Sequence, residues 1–272
     1  MVLDSAASTM DVAKEMVGLD QVSLVGPHCS EPGGVLALHQ TNGRGQRARA
    51  WYSAPGESLC VTYFVPLSDE LNRDAGKIGI LAGAAVASAL NGLIGSHPVG
   101  GACEASASAA PFATKIGLKW PNDLVLAGKK LGGILVEIVA NRGKGPIASV
   151  TSMALIGVGV NVGLQPFPQD LAAASTSLAI EGMRIESILV LADAIRCSLD
   201  RCIDNFTRAG FAATMALWRQ YDTTAGRRFR TETVTGPAVG VAVGVDSEGG
   251  LMLRTDDGTL LTVLSASTTS EM

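Results

Sequence analysis

A change in the sequence pattern near Tyr221 constrains the fold more than any other feature of this chain. Beyond it, the short apolar segments AVGVAVGV, LMLRT and LLTVL are separated by the turn sequences TGP, DSEGG and DDG. Such spacing is typical of a small all-β unit. We therefore predict two domains, a larger one at 1–220 and a small β-barrel at 221–272.

The larger part mixes strand and helix patterns. β-branched runs bounded by turn residues predict strands, and apolar residues at spacings of three and four predict helices. The predicted strands lie at 2–3, 35–40, 57–67, 116–120 and 152–163, with a hairpin at 123–139, and the predicted helices at 10–17, 77–92, 186–209 and 211–221. Ser8 or Thr9 is expected to cap the first helix. Both strands and helices are therefore expected in this part of the chain.

Composition and charge exclude several classes of protein. A net charge of −4 and a pI of about 5.4 argue against a long polyanion as partner. The most apolar stretch, 78–90, is too short for the roughly 18 residues of a membrane span and is expected to be a buried helix. Asp4 and Asp11 do not suit a signal peptide. We therefore predict a cytoplasmic protein without a membrane partner.

Cysteine and histidine give no sign of a metal centre. The five cysteines contain no CxxC pair and the three histidines form no ligand-spaced cluster, so buried free thiols are expected. Residues 96–114 are small, polar and without periodicity. They are predicted to form a flexible surface insertion, and a functional lid is the alternative.

A basic, glycine-rich loop, HQTNGRGQRARAW at 39–51, is the first candidate site. Glycines let the main chain approach a ligand, and the guanidinium groups of Arg44, Arg47 and Arg49 bind phosphate or carboxylate oxygens. Trp51 offers a flat face on which a base could stack. On its own this pattern also fits a solvated basic turn.

The second candidate site is KWPND at 119–123. Pro121 forces a turn after Lys119, which brings Asn122 and Asp123 beside the lysine. A surface lysine before a turn is the alternative. Neither usual phosphate motif is present, because GVGVN at 157–161 does not continue as GxGxxG and no GxxxxGK[ST] occurs.

Taken in order, STMD, QTNGRG with a downstream Arg and Trp, KWPNDL, KLGGILVE and GVGVN resemble the catalytic domain of biotin protein ligases over about residues 3–165. GVDSEGGLMLRTDDG resembles their C-terminal domain. The resemblance implies an α+β fold with a mixed β-sheet flanked by helices, as in class II tRNA synthetases, followed by a small SH3-like β-barrel.

The resemblance also implies an activity. Biotin protein ligases join biotin to ATP as biotinyl-5'-AMP with release of pyrophosphate, and then transfer biotin to a lysine of a biotin carboxyl carrier protein. Biotin and ATP would be substrates, with Mg²⁺ held mainly by the nucleotide phosphates and water. Attachment of lipoate or octanoate, a non-catalytic biotin or nucleotide sensor, and an RNA-binding module are the alternatives.

Individual roles follow only from the matched motifs. Lys119 and Arg44 would be catalytic, with Lys119 bridging the biotin carboxylate and the α-phosphate. The implied biotin contacts are Ser8, Thr9, Met10, Gln40, Gly43, Arg44, Gly45, Gln46, Lys119, Gly132 and Gly133. The implied ATP contacts are Arg47, Arg49, Trp51, Asn122 and Asn161. No metal ligand is expected.

The chain departs from the family pattern in two places. The family loop GRGRxGR is here GRGQRAR, with Gln46 replacing an arginine and Ala48 a glycine, so somewhat weaker retention of biotinyl-adenylate is expected unless Arg47 compensates. The Gly-Glu that the family often carries near its last strand is absent, because Leu264 leads into SASTTS. Because STMD begins at residue 8, no winged helix-turn-helix and no DNA partner are expected.

Overall fold

The structure, a computed structural model, describes residues 1–19, 33–46, 49–96, 115–140, 152–233, 236–264 and 268–270 of the 272-residue chain. The predicted insertion at 96–114 falls outside these ranges apart from its first residue, so its flexibility stays a prediction. The predicted ATP contact Arg47 and the neighbouring Ala48 also lie outside the described residues.

A seven-stranded sheet in the order β1-β2-β5-β9-β8-β7-β6 forms the centre of the larger part. Its strands are β1 Val2–Leu3, β2 Gly34–Ala37, β5 Ser58–Pro66, β6 Gly117–Lys119, β7 Asp123–Leu126, β8 Lys129–Ala140 and β9 Ser152–Asn161. β1 and β2 are parallel and the other neighbours are antiparallel, so the predicted mixed sheet is confirmed. A separate two-stranded ribbon pairs β3 Gly43–Arg44 with β4 Ala50–Trp51.

Helices cover both faces of this sheet. They are α1 Thr9–Gly18, α2 Asp69–Arg73, α3 Ile78–Ser96, α4 Gln169–Ala172, α5 Ile188–Ala209 and α6 Phe211–Tyr221. Alternate residues of β5 face two separate apolar clusters, with Tyr63 in one and Phe64 in the other. α1 packs on the side of Phe64, and α3, α5 and α6 pack on the other side. Ser8 caps α1, because its hydroxyl accepts a hydrogen bond from the Met10 N–H.

The helical segment Ala75–Ile94 is longer than the sequence pattern indicated. By length and composition it could cross a membrane, so the expectation that no segment is long enough was wrong. Most of this segment is nevertheless buried inside the protein, where α3 packs against α5, α6 and β8. The prediction of a buried core helix is therefore confirmed.

The small C-terminal unit is a five-stranded antiparallel sheet in the order β13-β12-β11-β10-β14. Its strands are β10 Arg228–Thr233, β11 Gly236–Val245, β12 Leu251–Thr255, β13 Leu260–Val263 and β14 Thr268–Ser270. This is the arrangement expected of an SH3-like domain. Its buried residues Phe229, Leu251 and Leu253 belong to the same apolar cluster as α3, α5 and α6. The small sheet is thus packed directly against the larger part.

The described cysteines are free thiols, as expected. Cys60 and Cys202 are buried and Cys197 is half-buried. Burial raises the pKa of Cys60 above its ordinary value and raises that of Cys202 to about 11, so both are un-ionised near neutral pH. Within the described ranges, no three His, Cys, Asp or Glu side chains are grouped as metal ligands would be.

Candidate functional site

A cleft of about 810 Å³ lies over the sheet and receives both predicted segments. Arg44 and Arg49 of the basic loop line it, and so do Lys119, Asn122 and Asp123 of KWPND. Positive side chains from two separated parts of the sequence therefore line one cavity. The other predicted contacts among the lining residues are Ser8, Thr9, Met10, Gln40, Gly45, Gln46, Trp51, Gly133 and Asn161.

One end of the cleft is a buried hydrogen-bonding network. The Gln40 side-chain oxygen accepts hydrogen bonds from the Thr9 backbone N–H at 2.7 Å and from the Thr9 hydroxyl at 3.1 Å. The Thr62 hydroxyl donates to the Thr9 hydroxyl at 2.9 Å. Sequence reasoning missed Thr62, although its place in the middle of an apolar strand was a visible signal. These neutral groups suit an uncharged polar end of a ligand.

The opposite end carries two lysines that share one carboxylate. The Nζ of Lys119 lies 3.1 Å from Oδ2 of Asp123, and the Nζ of Lys130 lies 2.5 Å from Oδ1. Burial alone would raise the pKa of Asp123, but the two ammonium groups outweigh burial and lower this pKa below its usual value. The prediction that Asp123 lies beside Lys119 is confirmed, whereas Lys130 was missed.

Arg44 sits in an ion-pair network on the rim of the cleft. Its guanidinium lies 2.6 Å from Oδ1 of Asp11 and 3.0 Å from Oε1 of Glu137, and Glu137 also pairs with Lys14. These contacts tie the basic loop to α1 and β8. Asp11, in the first turn of α1, thus has its carboxylate paired with Arg44. A bound anion must therefore compete with these carboxylates or add to the network.

Trp51 packs closely on the sheet behind the ribbon. An added Cβ at Gly159 would lie 2.7 Å from the Trp51 ring, so only glycine leaves room for the indole there. A Cβ at Gly43 would lie 2.6 Å from the Trp51 carbonyl oxygen, which identifies Gly43 as a position of close contact within the ribbon. Gly43 was predicted to contact biotin, but it does not line the cleft.

Three other predicted contacts need correction or refinement. Gly133 lines the cleft but Gly132 does not, because adjacent residues of a strand face opposite sides. The side-chain nitrogen of Asn122 donates to the Ile134 carbonyl at 2.7 Å, so it holds the turn in place. Asn161 is buried, donates to the Thr176 carbonyl and accepts from Gln165, so its side chain supports the cleft wall.

Comparison with known proteins identifies the family. The family model described as "Biotin/lipoate A/B protein ligase family" matches residues 11–161, which is more than half of the chain. The chain belongs to this family. A second model, "Biotin protein ligase C terminal domain", matches residues 225–267, so the small sheet is the C-terminal domain found in such ligases.

Curated relatives of this ligase-family chain include two types of protein. The bifunctional ligase/repressor BirA of Bacillus subtilis is 33% identical over 227 residues, which cover 82% of this chain and 62% of the relative. The biotin--[acetyl-CoA-carboxylase] ligase of Mycobacterium tuberculosis is 29% identical over 233 residues, covering 85% of this chain and 76% of the relative. The chain thus spans less than two thirds of the bifunctional relative's length.

Solved structures confirm the ligase fold. A biotin protein ligase from Aquifex aeolicus, in complex with biotin and ATP, matches with a TM-score of 0.72 at 20% identity, covering 100% of this chain and 97% of that chain. A biotin protein ligase from Leishmania major, in complex with biotinyl-5-AMP, matches with a TM-score of 0.56 at 26% identity, covering 96% and 97%.

Proposed function

We propose that this protein is a biotin protein ligase. It joins the carboxylate of biotin to the α-phosphate of ATP, releases pyrophosphate, and passes the biotinyl group to a carrier lysine. The observation that carries this proposal is that Lys119 and Arg44 line one cleft of a biotin/lipoate ligase fold. The names of the relatives and the ligands of the similar structures support it.

The first step requires two anions to meet. Two like unit charges about 4 Å apart repel by about 4 kcal/mol at an effective dielectric constant of about 20. The ammonium of Lys119 offsets this repulsion and stabilises the charge that develops as a carboxylate oxygen attacks the α-phosphorus. The bond from phosphorus to the bridging oxygen breaks, and pyrophosphate leaves with its electron pair. Mg²⁺ enters with ATP as part of the substrate.

The two ends of the cleft suit an elongated acid with a polar head. Thr9 and Gln40 act at the β2–β5 side, and Lys119 and Asp123 act at the β6–β7 side. β5 and β7 are three strand spacings apart in the sheet order, or about 14 Å. The biotin ring system would therefore bind beside Thr9 and its carboxylate beside Lys119. Trp51 would stack on the adenine.

In the second step the acyl carbon accepts a nucleophile. The neutral amine of the carrier lysine attacks this carbon, an amide forms, AMP leaves, and the amine proton passes to solvent. The carrier would be the biotin carboxyl carrier domain of a biotin-dependent carboxylase, as the names of the relatives suggest. Cytoplasmic location and the absence of DNA and membrane partners stay predictions.

Lipoate or octanoate attachment is the second candidate, because the matching family covers both types of ligase. The match of residues 225–267 to the biotin protein ligase C-terminal domain favours biotin. The test is incubation of the protein with MgATP, a carrier domain and each of the three acids. We expect covalent transfer of biotin alone. Transfer of lipoate or octanoate in its place would contradict the proposal.

Lys119→Ala tests the site in the same assay. Without the Lys119 ammonium, no lysine lies between the biotin carboxylate and the α-phosphate, so we expect adenylate formation to fall about 100-fold or more. Lys77→Ala is the matched control, since Lys77 also pairs with carboxylates, those of Asp74 and Glu248, but does not line the cleft. Equal activity of both variants would contradict the assigned role of Lys119.

A further inference from the structure

Lys130 reaches the cleft because of a β-bulge in the β7–β8 pair. Leu124 is paired with Gly132 and Val125 with Lys130, which leaves Leu131 without a cross-strand partner. In an unbroken ladder Val125 would oppose Leu131, and Lys130 would point to the other face. The extra residue therefore turns Lys130 to the face of Val125, which lines the cleft, while Leu131 is fully buried in the core.

The charges on this side of the cleft show that Lys130 contributes net positive charge. Lys119 and Lys130 share the carboxylate of Asp123, so the three groups together carry one net positive charge. Without Lys130, Asp123 would neutralise Lys119 and the group would carry none. A triphosphate brings several negative charges and biotin only one, so the second lysine matters most for the nucleotide. The Lys130 side chain is also the more exposed of the two lysines, at 42% against 19%.

The position of Lys130 points to the same ligand. Its backbone N–H donates to the Ala174 carbonyl at 2.8 Å, and its carbonyl accepts from the Thr176 N–H at 2.9 Å. Asn161, which supports the cleft wall, donates to the Thr176 carbonyl. Lys130 is thus built into the wall beside Lys119, where the phosphates would lie in the proposed reaction, and away from the network around Thr9.

We propose that Lys130 is a substrate-binding residue that holds the β- and γ-phosphates of ATP, the part that leaves as pyrophosphate. This inference rests on the proposed ligase function. Lys119 would serve the reacting carboxylate and α-phosphate, and Lys130 the leaving group. Asp123 would be a positioning residue that fixes the spacing of the two ammonium groups.

Two ligands separate this role from a general effect on the cleft. One is an ATP analogue with a methylene group between the α- and β-phosphorus atoms, bound with Mg²⁺ and saturating biotin. The other is biotinyl-AMP, which lacks the β- and γ-phosphates. For Lys130→Met we expect calorimetry to show about 10- to 100-fold weaker binding of the analogue, and a change of less than about three-fold for biotinyl-AMP. Lys77→Met, altered outside the cleft, should bind both ligands as the unaltered protein does.

Each other outcome has a defined meaning. Unchanged binding of the analogue, or equal weakening of both ligands, would overturn the role of Lys130. In Lys130→Met, the Asp123 carboxylate loses Lys130 as a partner. The double variant Asp123→Asn with Lys130→Met also removes this carboxylate. Recovery of analogue binding in it would show that this carboxylate caused the loss, which also overturns the proposal. If the unaltered protein bound neither ligand, the proposed function would fail as well.

Discussion

Gln46 shows how one side chain of the cleft could set the lifetime of the intermediate. It lines the cleft on the same loop as Arg44 and Arg49. A glutamine amide forms neutral hydrogen bonds, whereas an arginine adds a permanent charge and a bidentate fork for phosphate oxygens. We expect Gln46→Arg to slow the release of biotinyl-adenylate about ten-fold, because each charge-assisted hydrogen bond is worth more than a neutral one.

The measurement is a chase of protein-bound radioactive biotinyl-adenylate on a filter. Gln46→Lys is the matched control, since it supplies a charge without the planar fork and should slow release less. Release from Gln46→Arg at the same rate as from the unaltered protein, or faster, would contradict the idea that residue 46 limits retention.

At this scale the sequence was informative where a residue acts through its neighbours in the chain. Pro121 forces the turn that brings Asp123 to Lys119, and that contact is present. Lys130 was missed because its orientation depends on an unpaired residue in a ladder, which alternation of residue types does not reveal. The pairing of Arg44 with Glu137 was missed for a similar reason, since it joins positions that are distant in the chain.

At the scale of the element, two adjacent glycines of β8 have different roles, one in the packing of the sheet and one in the binding cleft. A Cβ at Gly132 would lie 2.4 Å from the Gly159 carbonyl oxygen on the neighbouring strand, whereas a Cβ at Gly133 would have its nearest contact at 3.7 Å. We expect Gly132→Ala to destabilise the fold by roughly 1–3 kcal/mol, because the sheet must shift to admit a methyl group. Chemical denaturation without ligand measures this change.

Gly133→Ala is the control on the cleft face of the same strand. Its methyl group enters the cavity, so we expect stability to be unchanged or slightly higher and biotin to bind about ten-fold more weakly. We thus expect Gly132→Ala to lose stability and Gly133→Ala to lose affinity for biotin. Loss of biotin affinity alone in Gly132→Ala would contradict the assignment of Gly132 to the sheet interior.

The sequence predicted the types of the secondary-structure elements more accurately than it predicted where they end. The periodic segments at 77–92 and 186–209 are helices, now seen as Ile78–Ser96 and Ile188–Ala209. Gly210, with a φ of 70°, caps the second helix and separates it from α6 Phe211–Tyr221, so the region expected to be helical to Tyr221 is two helices. Helix ends depend on such local conformations and on packing, so they were the less predictable part of the fold.

At the scale of the whole molecule, the C-terminal sheet and the segment before it hold the KWPND turn. Trp120, next to Lys119, packs edge-on against Phe229 with ring centroids 6.5 Å apart, and its indole N–H donates to the Gly249 carbonyl at 3.0 Å. Its backbone N–H donates to the Thr224 hydroxyl at 3.0 Å. No sequence pattern indicated this docking, because it joins residues more than a hundred positions apart. The C-terminal domain therefore helps to place the lysine of the cleft.

Thr224→Val tests this coupling by deleting one hydroxyl. Thr224 is fully buried, so the Trp120 N–H would lose its partner where water cannot replace it. We expect a loss of roughly 1–3 kcal/mol in stability and a fall in the rate of biotin-dependent pyrophosphate exchange, with the KM for biotin little changed. Thr214→Val is the matched control, because the buried Thr214 hydroxyl has no hydrogen-bond partner within the described part of the chain and its removal should cost nothing. Full exchange activity in Thr224→Val at a temperature where it is folded would mean that the C-terminal domain adds stability without positioning Lys119.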